Sequence, residues 1–112
     1  MPGSFAVRAS LLALGGAMLL GVAGCGIAIG DACTNSYDCN KDSMTCDLSA
    51  PDGYCLKEGC WEDGDCPADG VCVTFPTGDR FCMRECDDGD DCRDGYSCIS
   101  DLPGQPPFCY VR

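Results

Sequence analysis

Twelve cysteines, Cys33 to Cys109, fall into three groups of four, and their spacing constrains the fold more than any other feature. The groups are Cys33, Cys39, Cys46 and Cys55, then Cys60, Cys66, Cys72 and Cys82, then Cys86, Cys92, Cys98 and Cys109. A repeat of about 26 residues is too short to bury a sufficient core alone, so cross-links must take over that role. Exported chains with evenly matched cysteines oxidise them. The region therefore reads as a disulfide framework, in which each bond contributes about 2–4 kcal/mol by restricting the unfolded chain.

The groups agree beyond cysteine. Aspartate precedes the second cysteine each time, as Asp38, Asp65 and Asp91, and an aromatic precedes the fourth, as Tyr54, Phe81 and Phe108. Turn-forming residues lie between the third and fourth, as Pro51-Asp52-Gly53, Pro76 to Asp79 and Pro103-Gly104, and a basic residue follows the fourth, as Lys57, Arg84 and Arg112. These marks predict an irregular loop followed by a short β-hairpin in each copy. Scattered apolar residues, Tyr37, Leu48 and Trp61 among them, are expected to cover the disulfides.

Four cysteines allow three pairings. The crossed one ties the loop to both hairpin strands, which sequential pairing does not do. It gives Cys33–Cys46 with Cys39–Cys55, Cys60–Cys72 with Cys66–Cys82, and Cys86–Cys98 with Cys92–Cys109. Spacing alone leaves the other two pairings open.

Met1 to Gly24 has the marks of an export signal. One positive charge, Arg8, precedes an apolar core from Leu11 to Leu20, and small residues follow from Gly21 to Gly24. The segment Val22-Ala23-Gly24-Cys25 resembles the bacterial lipobox. That resemblance implies cleavage before Cys25, a covalent lipid on its thiol, and usually an acyl chain such as palmitate on the new amino group. Gly26 after the cysteine implies passage to the outer membrane. A retained transmembrane anchor competes with this reading, because no charge occurs from Ala9 to Gly30. Frequent glycine in the run weakens such a span. Lipidation also accounts for the odd thirteenth cysteine.

The segments Cys60-Trp-Glu-Asp-Gly-Asp-Cys66-Pro-Ala-Asp-Gly-Val-Cys72 and Cys86-Asp-Asp-Gly-Asp-Asp-Cys92-Arg-Asp-Gly-Tyr-Ser-Cys98 resemble the cysteine-rich repeats of bacterial surface lipoproteins, of the myxobacterial type. They are also similar to the start of the dickkopf amino-terminal cysteine-rich domain, a resemblance that supports the crossed pairing. The first group departs from the pattern, with an extra residue before Cys46 and Lys41 to Met44 in place of Asp-Gly. The bacterial resemblance implies a bacterial envelope protein, on an outer membrane facing periplasm or cell surface, but no activity.

The expected organisation is a helical signal segment over 1–24, a lipid cysteine and tether over 25–32, and three tandem cysteine-knotted units over 33–59, 60–85 and 86–112. All 18 acidic residues follow Gly30, whereas six of the 7 basic ones do, so the exported part is strongly acidic. That excludes nucleic-acid binding through neutralised phosphates. It also argues against adsorption to anionic lipid through side chains. The chain has no histidine, which removes the usual general base and metal ligand. Paired cysteines cannot act as thiolates. The expectation is a non-enzymatic surface scaffold or binding module, held to the membrane through its lipid and contacting an extracytoplasmic protein or glycan.

Candidate contact residues are Trp61, Phe75 and Arg80. Rigid stretches at 73–80 and 99–107 suggest protease inhibition as an alternative. A calcium-stabilised spacer or coat protein is another, with Asp63, Asp65, Asp88 and Asp90 as carboxylates close enough in sequence to share an ion. Solvated acidic turns explain the same residues without a metal.

Overall fold

The computed structural model describes residues 27–112, so the expected helical leader and Cys25 lie outside the described residues. What it shows is a small, disulfide-rich fold of short antiparallel strands with little helix. Among the described residues no helix is long and apolar enough to cross a membrane.

Six disulfides hold it, and every one stays within its own group. They join Cys33 to Cys46, Cys39 to Cys55, Cys60 to Cys72, Cys66 to Cys82, Cys86 to Cys98 and Cys92 to Cys109. Each group opens with a short 3-10 turn: Ser36–Cys39, Asp63–Asp65 and Gly89–Asp91. A pair of strands follows each turn. These are β1 (Thr45–Cys46) and β2 (Cys55–Glu58), β3 (Gly70–Thr74) and β4 (Arg80–Arg84), and β5 (Ser97–Ile99) and β6 (Phe108–Tyr110).

The hairpins do not stay separate. Lys57 and Glu58 of β2 pair antiparallel with Cys82 and Phe81 of β4, which fuses the first two hairpins into one sheet of order β1-β2-β4-β3. The third hairpin forms its own two-stranded sheet, and its backbone β-bridge to the second group joins Phe108 to Glu85.

The outer edge of the larger sheet is closed by side chains. The Cys72 amide donates to the Asp63 carboxylate at 2.8 Å and the Thr74 amide to the Gln105 side-chain carbonyl at 2.8 Å. Edge groups answered in this way offer no template for another strand.

The core has two parts. One gathers Cys33, Cys39, Cys55, Cys60 and Cys82 around Ile29 and Met44. The other is largely free of sulfur and draws Tyr54, Val71, Val73, Met83, Tyr96 and Phe108 from all three groups. The aromatics before the fourth cysteines thus pack on other aromatic rings: Phe75 meets Phe81 and Phe108 edge to face, with ring centroids 5.8 and 5.5 Å away, and Tyr54 meets Tyr96 and Tyr110. Tyr37, Leu48 and Trp61 cover nothing and are 86%, 66% and 82% exposed. Met44, expected in that role, does pack among the cysteines, together with Ile29.

Ile29 lies within the segment expected to serve as a tether. It is fully buried, and the chain around it is paired: the Gly30 amide donates to the Cys55 carbonyl at 2.8 Å, and the Cys55 amide donates to the Asp31 carbonyl at 3.0 Å. Gly30 has φ +86°, and a Cβ there would sit 2.8 Å from the Cβ of Arg84, so glycine lets this turn press against β4.

Tyr54 joins the groups. Its buried hydroxyl donates to the Cys109 carbonyl at 2.7 Å and accepts from the Arg84 amide at 2.9 Å. Its ring stacks on Tyr96 at 5.5 Å and meets Tyr110 edge to face at 5.4 Å. Burial pushes the phenol far above its ordinary pKa, so it stays protonated and able to donate. Tyr54→Phe keeps the ring but leaves a buried carbonyl and amide without this partner. It is expected to lower stability by about 1–3 kcal/mol in denaturant titrations of the oxidised protein, with all six disulfides intact.

Candidate functional site

The acidic loops concentrate carboxylates at the surface, but there the backbone occupies them. The Asp65 carboxylate accepts from the amides of Trp61 at 2.8 Å and Glu62 at 3.1 Å. Asp91 does the same with Asp87 at 2.7 Å, and Asp38 with Thr34 at 2.7 Å. This is why aspartate precedes the second cysteine every time: it closes the turn by satisfying amides that the 3-10 geometry leaves free.

These backbone bonds hold the carboxyls of Asp65 and Asp91 below the usual range, with smaller help from Lys57 and Arg84. Asp38 is lowered by the amide and hydroxyl of Thr34. The basic residue after a fourth cysteine thus serves the loop of the next group. Lys57 also donates to the Asp65 carbonyl at 2.8 Å.

The residues considered for calcium are dispersed by these roles. Asp63 is turned to the Cys72 amide, Asp65 to the Trp61 and Glu62 amides, and Asp88 to the Asp90 amide at 2.8 Å. Asp90 is exposed. Among the described residues, the side-chain clusters tight enough to share a metal consist of cysteines already in disulfides.

The stretches considered for protease inhibition are tight turns rather than extended loops. Phe75 donates to the Asp79 carbonyl at 2.8 Å, Gly78 to the Phe75 carbonyl at 2.8 Å, and Gln105 to the Leu102 carbonyl at 3.1 Å. Phe75 itself is half-buried in the aromatic cluster, so only its neighbours Pro76 to Asp79 are presented.

Trp61 and Arg80, by contrast, are brought together at the surface. The Arg80 guanidinium lies 4.7 Å from the centroid of the Trp61 ring. Lys57, Glu58, Asp79 and Phe81 line the same open groove, whose volume is about 640 Å³. The fold explains the placement. Trp61 follows Cys60 on the outside of the Asp65 turn, and Arg80 opens β4 beside it. Trp61 is the chain's one tryptophan and is largely exposed, whereas Tyr54 and Phe108 are buried.

A second feature has no signature in the sequence. Arg93 donates to the carbonyls of Gly30 at 2.7 Å, Pro51 at 2.9 Å and Gly53, and to the Tyr96 hydroxyl at 2.8 Å. It ties the third group to the first group's turn and to the N-terminal segment, so its role is structural. Gly53 fits beneath it only as glycine, because its φ is +75° and a Cβ would lie 2.0 Å from the Cys33 carbonyl oxygen.

No family model, curated protein or solved structure matches the chain, so its functional reading rests on its own residues and their geometry.

The turn carboxylates predict an acid response. Their folded-state pKa values are depressed, so the stability they confer is complete above the unfolded value near ~3.9 and is lost as pH falls through the folded values. Thermal midpoints should therefore drop on acidification below about pH 4, and less steeply in Asp65→Asn. The third cysteine's amide is answered by Ser36 in the first group and Asp63 in the second, but Gly89 stands at that place in the third. A Cβ at Gly89 would meet nothing within 4 Å. Gly89→Asn should raise stability by about 0.5–1 kcal/mol, read as an upward shift of the melting midpoint.

Proposed function

We propose that this chain is a lipid-anchored, non-enzymatic surface module of the bacterial envelope, built as three tandem disulfide-crossed units behind a lipid-bearing Cys25. It presents the Trp61–Arg80 groove to an extracytoplasmic protein. The observation that carries the reading is the 82% exposure of Trp61 with a guanidinium stacked on it, in a fold short of apolar residues to bury. Tryptophan and arginine are the residues over-represented at the energetic centres of protein interfaces. A ring held by a neighbouring cation and a disulfide-fixed turn loses little conformational freedom on binding.

Support for a non-enzymatic role comes from the same chemistry. Among the described residues no charged side chain is buried, the hydroxyls of buried Tyr54 and Tyr96 are taken up in structural hydrogen bonds, and every cysteine is paired. No dry pocket among them holds a group whose proton or electron pair is poised for reaction. The lipid anchor rests on Val22-Ala23-Gly24-Cys25 and on Cys25 being the one cysteine outside the three groups.

Two measurements test the reading. The membrane-extracted protein should have the mass of residues 25–112 plus acyl chains, and a mass that retains Met1 to Gly24 would make the leader a span instead. A partner cross-linked to the wild-type protein in intact envelopes should be lost in Trp61→Ala, whose melting midpoint stays nearly unchanged because the ring is 82% exposed. Retention of the same partner by Trp61→Ala would place the contact elsewhere, and competition by envelope polysaccharide would make the ligand a glycan.

A further inference from the structure

The segment that leaves the folded body toward Cys25 is packed rather than loose. Ile29 is buried, the Ala28 amide donates to the Asp31 carboxylate at 2.8 Å, and Ile27 packs against the cysteine-lined part of the core. Ile27 and Ala28 border a depression of about 200 Å³ whose other walls include Lys41, Asp42, Pro67 and Ala68. Only Gly26 stands between Cys25 and Ile27. At no more than about 3.6 Å per residue, the Cα of Cys25 lies within about 7 Å of the Cα of Ile27.

We propose that the face around Ile27, carrying Lys41, Pro67 and Ala68, lies directly on the lipid headgroups. The inference rests on the lipid anchor at Cys25. An acyl group on that cysteine places the bilayer interface one residue from a docked, half-buried isoleucine, which leaves no leash on which the body could swing away. The face is suited to that position. Ile27, Pro67 and Ala68 offer small apolar surface, and Lys41 has a long flexible stem that carries its ammonium to headgroup phosphates. Lys41 is in neither ion pair found among the described residues, Arg84 with Asp69 and Arg112 with Asp101. Asp42 and Asp69 border the same depression, so the short connection rather than net charge holds this face in place. The acidic body would drift from an anionic surface if it were free to do so. A short, locked connection holds it there, and it fixes which loops face outward.

The test uses the full chain in membranes. Amine-reactive labelling of Lys41, read by mass spectrometry, is compared between the wild-type protein and a variant with a flexible Gly/Ser insert between Gly26 and Ile27. An insert of about twelve residues allows a separation of about 20 Å. The acylated wild type should label Lys41 several-fold more slowly than the acylated insert variant. Equal labelling of two acylated proteins overturns the docked face and leaves the anchor standing. If the wild-type protein carries no acyl chain, the anchor itself fails and the docked face falls with it.

Discussion

The Tyr54 hydroxyl is the contact on which the arrangement of the whole molecule depends. Every disulfide closes within its own group, so the covalent framework by itself fixes three local shapes and nothing about how they meet. Tyr54 belongs to the first group, takes a hydrogen bond from Arg84 in the second, and gives one to Cys109 in the third. Because the site is buried, the alternative to these bonds is orphaned polar groups rather than water, which makes them worth more than their net value at a surface. Arg93 repeats the logic at the rim, joining the third group to the first group's turn. Covalent bonds set the pieces, and a few polar contacts together with the β2–β4 pairing and the shared apolar core set the assembly.

That division explains how so acidic a chain holds a compact form. A net charge of −11 should drive the loops apart. Instead the repeated aspartates of each copy accept from backbone amides at the surface, and the basic residue following one group faces the loop of the next. The remaining surface is polar and rigid, with Trp61 as its one large exposed indole. A platform of this kind loses little entropy on contact and suits presentation better than chemistry.

The spacing of the cysteines made the disulfide-rich class and its short antiparallel strands legible in the sequence. Turn residues such as Pro51-Asp52-Gly53 marked where the chain reverses, since few other residues adopt those angles. The fusion of β2 to β4 was not legible, because pairing between groups rests on a two-residue register with no periodic signature. Ile29 read as linker, being a lone apolar residue beside glycine, and only tertiary contact reveals it as core. Tyr54 and Phe108 were marked as repeated aromatics, but the sequence does not show that they join one apolar core drawn from all three groups. Trp61 and Arg80 are 19 positions apart in the chain, and the strand that opens at Arg80 brings them into contact.

Native-state hydrogen exchange on the oxidised protein tests most directly whether the three groups form one body. The informative amides are those of Cys55, bonded to Asp31, of Arg84, bonded to Tyr54, and of Tyr96, bonded to Arg93. If buried contacts weld the groups together, these amides exchange only through global opening and report a common free energy. If the Tyr96 amide exchanges much faster while Cys55 stays protected, the third group opens by itself and the account of a single welded body is wrong.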